Sequence, residues 1–158
     1  MAKAAKPVPE GYHTITPSLV LDNAASTIDW YKKALGAEEV SRSVGPDGKI
    51  MHAELKIGDS RFMMNDVMMG GKGPQTYGGS PASFWLYVQD SDALFNRAVA
   101  AGAKVQMPIT DQFWGDRAGA VSDPAGYSWW IATRREDLSQ SEIQQRAAEF
   151  FKQMAPQH

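Results

Sequence analysis

The sequence contains no cysteine. Disulfide frameworks, zinc–thiolate sites and thiol nucleophiles are therefore excluded. It also lacks any basic block, and its formal net charge is -2. Nucleic-acid binding, which needs a clustered cationic footprint, finds no support. No apolar run approaches the ~20 residues that span a bilayer, and Met1–Pro9 lacks the apolar core of a signal peptide. The expectation is a cytoplasmic protein with neither nucleic-acid nor membrane partners. The missing cysteines leave an oxidising compartment without support but do not forbid it.

What is present has the balance of a globular domain, with 43% hydrophobic and 22% charged residues in a chain of 158. That is apolar enough to bury a core and too apolar for disorder. Residues 1–11 show no periodicity and read as a flexible tail. His13-Thr-Ile-Thr-Pro-Ser-Leu-Val-Leu21 has strand composition, with Pro17 suited to an edge or bulge because it lacks an N–H. Asp22 and Asn23 offer a helix N-cap, Ile28, Tyr31 and Leu35 follow at helical spacing, and Gly36 stops the helix. Three strands come next, over residues 38–44, 50–57 and 61–65, separated by the turns Gly45-Pro-Asp-Gly48 and Gly58-Asp59. A glycine-rich loop from Val67 to Pro81 joins this unit to the next, and loops of that length are often functional.

The second half repeats the order. A strand over Ser83–Val88 leads to a helix capped by Asp90 and ended by Gly102. A short strand at Lys104–Met107 stops at Pro108. A loop at Asp111–Asp116 precedes a hairpin of Ala118–Ser122 and Tyr127–Thr133 around Asp123-Pro-Ala-Gly126. A last helix opens with Ser139 and Glu142 at capping-box spacing. Leu35-Gly-Ala-Glu and Ala101-Gly-Ala-Lys mark equivalent helix-to-strand junctions. The predicted architecture is α+β: tandem βαβββ units, residues 12–66 and 82–134, whose curled mixed sheets enclose a cavity. They form one domain over 12–135, followed by a C-terminal helix within 136–158.

The helix that opens Leu21-Asp-Asn-Ala and ends Trp30-Tyr-Lys-Lys-Ala-Leu-Gly-Ala37, with the hairpin Val121-Ser-Asp-Pro-Ala-Gly-Tyr-Ser-Trp129, resembles the vicinal oxygen chelate superfamily. That group includes glyoxalases, bleomycin-resistance proteins and extradiol dioxygenases. Ile15-Thr-Pro, Met51-His-Ala-Glu-Leu, Ile57-Gly-Asp-Ser, Asp111-Gln-Phe-Trp-Gly-Asp-Arg and Ala132-Thr look typical of its PhnB-like branch. The methyltransferase label sometimes attached to that branch has no counterpart here, since no glycine-rich strand-to-helix turn could cradle a nucleoside cofactor.

The resemblance implies a ligand set of His or Glu side chains for a divalent metal, two per repeat. Those positions fall at Ile15, at or near Glu54, at Ser83 and at Trp130. Ile15 and Trp130 cannot ligate and Ser83 is a poor ligand, so no metal and no cofactor are expected. His52 and Glu54 share one strand face and admit two readings. They are a hydrogen-bonded polar patch, or a catalytic acid–base pair that acts with or without a metal. Trp85, Tyr87, Trp130, Met63 and Ser83 are candidate ligand-binding residues of an aromatic-lined cavity. Adjacent Trp129 and Trp130 must face opposite ways. Trp114, in Phe113-Trp-Gly-Asp-Arg117, is either a pocket lid or an end plug beside an Asp116–Arg117 ion pair. Of the methionines at 63, 64, 68 and 69, the first two must also face opposite ways. His13 reads as a surface residue.

The function expected is metal-independent binding of a small organic molecule, the protein being a homodimer as in bleomycin-resistance relatives. The alternative is a glyoxalase-type lyase or isomerase that depends on a metal or on Glu54 and His52. A third class is a ligand-free structural dimer with a filled cavity.

Overall fold

The computed structural model describes residues 6–155. The first five residues of the expected tail, and His158, lie outside the described residues. The first unit contains β1 (Ser18–Leu21), α1 (Ala24–Leu35), β2 (Glu38–Val44), β3 (Ile50–Ile57) and β4 (Ser60–Asp66). The second contains β5 (Ser83–Tyr87), α2 (Ser91–Ala100), β6 (Lys104–Asp111), β7 (Asp116–Ser122) and β8 (Ser128–Arg134), and α3 (Gln140–Met154) follows. The sheets run β1-β4-β3-β2 and β5-β8-β7-β6. In each, the first strand lies parallel to the last and the remaining pairs are antiparallel. The duplicated α+β architecture is the one expected.

Helix boundaries follow their caps. The Asn23 side chain accepts from Ser26 N, and Gly36 takes the left-handed conformation at φ 68° that ends α1. Buried Asp66 adds a long-range support: its carboxylate accepts from Ala24 N at 2.7 Å and from Ile50 N at 2.8 Å. It therefore ties the start of the helix to the start of β3. Asp90 caps α2, and Ser139 with Glu142 forms the full capping box of α3.

One core joins both units. Tyr31 from α1, Phe62 from β4 and Trp129 from β8 meet edge to face with centroids 5.5–5.7 Å apart. At about 1.5–3 kcal/mol for each large side chain buried, this cluster contributes more than any surface ion pair of the fold. In its centre Asp123 accepts from Tyr31 Oη at 2.6 Å, from Trp129 Nε1 at 2.9 Å, and from the amides of Ala125 and Tyr127. Burial raises the Asp123 carboxyl above its usual range while these donors pull it back down. The α2 side is equally tight. A Cβ on Gly119 would meet the Phe95 ring at 2.8 Å and the Ile109 backbone at 2.9 Å.

Three segments depart from the sequence reading. The first strand starts at Ser18, not His13, and Ile15 is 85% exposed. Only Pro17 O reaches β4, accepting from Met63 N at 2.8 Å. The strand at 104 does not stop at Pro108 but runs to Asp111. It is an edge strand with register shifts on either side of Met107, so the missing N–H leaves no ladder bond broken. The joining loop contains a 3-10 turn at Pro74–Tyr77.

Candidate functional site

The alternation of each strand sorts the candidates by face. On β3, Ala53 and Leu55 are buried toward α1, so His52 and Glu54 share the opposite face. On β4 the same rule buries Met64 and leaves Met63 beside Glu54 in register. On β8, Trp129 is 3% exposed in the core and Trp130 faces away from it. Ser83, Trp85 and Tyr87 on β5 pair in register with Ser128, Trp130 and Ala132.

The late start of β1 has a consequence for shape. Ser60 to Phe62 of β4 lack a β1 neighbour, and a cleft of about 530 Å³ opens between the β3–β4 turn and β5. Phe62, Phe84, Leu86, Trp129, Ile57 and Pro17 give it apolar walls. Ser83, Trp85 and Tyr87 line one side, and Arg61, His13 and Asp59 supply polar groups.

The aromatic candidates form a continuous wall beside the cleft. Trp85 lies against Trp130 with centroids 4.6 Å apart and planes 1° from parallel. Tyr87 stacks at 6.2 Å on one side of Trp85, and Trp114 meets Trp85 edge to face, also at 6.2 Å. Asp116 fixes the last two rings: its Oδ2 accepts from Tyr87 Oη and Trp114 Nε1, each at 2.9 Å. Residue 116 is 3% exposed, and it holds these two rings instead of the local pair with Arg117 that the end-plug reading included. Arg117 instead reaches Asp92 at 2.6 and 2.7 Å and Asp111 at 3.3 Å. Phe113 turns the other way, packing on Trp114 at 5.0 Å and on Phe150 of α3 at 5.3 Å.

His52 and Glu54 do meet, with Nε2 and Oε1 3.2 Å apart. They do not line the cleft, nor does Met63; Arg61 connects the two places, its Nη1 standing 3.7 Å from Glu54 Oε2. Sequence reasoning missed Tyr12. Its hydroxyl is buried against Glu54 and Arg61, close enough to act on the carboxylate but outside well-aligned hydrogen-bond geometry with any described residue. The Tyr12 hydroxyl, then His52 and Arg61, hold the Glu54 carboxyl below the usual carboxylate range, against the opposing effect of burial. Only the strand composition of residues 13–21, just beyond Tyr12, hinted that order begins here.

The donor set does not fit the divalent metal of metal-dependent relatives. Ile15 is exposed hydrocarbon, Trp130 is stacked on Trp85, and Ser83 offers only a hydroxyl. Among the described residues no three His, Asp or Glu side chains converge on a point that could hold an ion.

The paired βαβββ units define the class of protein. The sequence matches the Glyoxalase/Bleomycin resistance protein/Dioxygenase superfamily over residues 12–131. The chain belongs to that superfamily, the vicinal oxygen chelate group. It is similar to the uncharacterised protein Rv0887c of Mycobacterium tuberculosis, 46% identical over 135 residues that cover 82% of this chain and 79% of the relative. Among solved structures, protein PA1353 from Pseudomonas aeruginosa is 27% identical with a TM-score of 0.63, covering 78% of this chain and 99% of the other. The PhnB protein from Bacillus cereus shares the fold at 20% identity and a TM-score of 0.60, covering 77% and 99%. No helix among the described residues is long and apolar enough to cross a membrane.

Proposed function

We propose that this protein binds a small, flat organic molecule in the cleft beside Trp85, without a metal ion, as a cytoplasmic homodimer. The observation that carries the reading is Trp130. It occupies a position where a metal-dependent relative needs a ligand, and it stacks on Trp85 at the edge of an open, apolar-walled cleft. Volume and lining suit a ligand of a few fused or linked rings. An open cleft also speaks against the ligand-free structural reading.

The enzymatic alternative draws on the His52–Glu54 contact. A carboxyl held below its ordinary range is a weaker base, so the geometry favours a charged, paired Glu54 over a proton-transfer role.

Fluorescence titration with N-phenyl-1-naphthylamine tests the binding reading. Saturable binding of one molecule per chain in the presence of a chelator is expected. Absence of binding, or binding only after a divalent metal is added, would overturn it. Sedimentation equilibrium tests the dimer, which a monomer at all concentrations would contradict.

A further inference from the structure

The cleft has an asymmetry that its apolar walls do not explain. At the β3–β4 end stands Arg61, a permanent cation with five N–H donors. Among the described residues its one ion partner is Glu54, and the 3.7 Å separation is longer than a hydrogen bond. Asp59, an acid that does line the cleft, accepts from Ser60 Oγ at 2.8 Å. His13 lines the same cleft and adds ring N–H capacity.

Arg61 is nevertheless held in place. The Tyr12 ring lies 5.1 Å from its guanidinium carbon, within cation–π range. The chain presses on it so closely at Gly11, where φ is +81°, that an added Cβ would lie 2.8 Å from Nη2. A side chain fixed by packing, yet short of hydrogen-bond acceptors, is prepared to receive one from outside.

Resting on the binding role proposed above, we infer that the ligand is an aromatic organic anion. Its carboxylate or similar acid group would meet Arg61, with His13 beside it, while its rings lie along Phe62, Leu86 and Trp85. A neutral molecule would leave the guanidinium donors unmatched in a partly desolvated cleft, and a cation would be repelled.

The test compares two probes that differ only by an acid group, N-phenyl-1-naphthylamine and its sulfonate, 8-anilinonaphthalene-1-sulfonate. Each is titrated into the full chain and into Arg61→Gln and Arg61→Lys. Arg61→Gln should weaken the sulfonate by about tenfold or more and leave the neutral probe within about twofold, because one charge-assisted contact is lost. Arg61→Lys, which keeps the charge but not the fork, should recover part of the loss. The inference is overturned if the sulfonate is held equally well by Arg61→Gln, or if both probes weaken together, which would make Arg61 a structural residue. Failure of both probes to bind the unaltered chain would remove the binding role itself. Retention of the neutral probe with no response of the sulfonate would remove only the preference for anions.

Discussion

The indole of Trp130 rests face to face on that of Trp85, 4.6 Å apart and 1° from parallel, joining two neighbouring strands of one sheet. Duplication of the βαβββ unit creates equivalent positions in both halves. Here Trp130, in the second half, belongs to an aromatic surface, while Glu54, in the first, remains acidic and pairs with His52.

Trp85 is 40% exposed, so replacing it should cost the fold little and the site much. Trp85→Ala should lower affinity for N-phenyl-1-naphthylamine by about tenfold while stability falls by no more than about 1.5 kcal/mol. Fluorescence titration and urea unfolding check the pair of outcomes.

Asp116 positions the wall without standing in its exposed face. Removing it strands the Tyr87 hydroxyl and the Trp114 indole N–H, which share its Oδ2. Asp116→Ala should lose about 1–3 kcal/mol of stability. It should also alter the near-UV circular dichroism of the tryptophans, and Asp116→Asn, which keeps one acceptor oxygen, should fall between.

The Tyr31–Asp123 contact predicts a pH signature. Burial sets the Asp123 carboxyl above its unfolded value, so its stabilising contribution is complete below about pH 3.9 and is lost as pH rises through the folded value. The Tyr31 hydroxyl opposes that upward shift. Tyr31→Phe therefore pushes the folded value higher, and its stability deficit should widen from about pH 4 toward pH 7, reaching about 1–3 kcal/mol. Denaturation at both pH values measures it, and a deficit that is constant or narrows toward neutrality would contradict the account.

Gly119→Ala should cost about 1–3 kcal/mol. The added methyl meets backbone of Ile109 and not only the Phe95 ring, and backbone cannot step aside. Thermal unfolding is the check.

Much of the fold was legible because its signals are local. Caps at Asn23, Asp90 and Ser139 and alternation on the strands depend on neighbours a few residues away. The opposite orientations of Trp129 and Trp130 follow from strand geometry alone. What sequence could not show was where pairing ends. Residues 13–17 look like strand, yet only Pro17 O bonds to β4, and His13, Ile15 and Pro17 line the cleft instead. Asp123 read as a turn residue, and its bond to Tyr31 spans 92 positions. Asp116 beside Arg117 suggested a local ion pair, whereas strand alternation sends the two side chains to opposite faces. The candidate residues Ser83, Trp85 and Tyr87 reached the cleft, Trp114 and Trp130 stand along its wall, and His52, Glu54 and Met63 occupy the neighbouring sheet.

Elemental analysis of the purified protein, read alongside its binding of N-phenyl-1-naphthylamine, tests metal-independent binding most directly. The account predicts saturable binding with divalent metal far below one ion per chain, unchanged by prior treatment with a chelator. A stoichiometric Mn, Fe, Ni or Zn content that the chelator removes together with binding would contradict it.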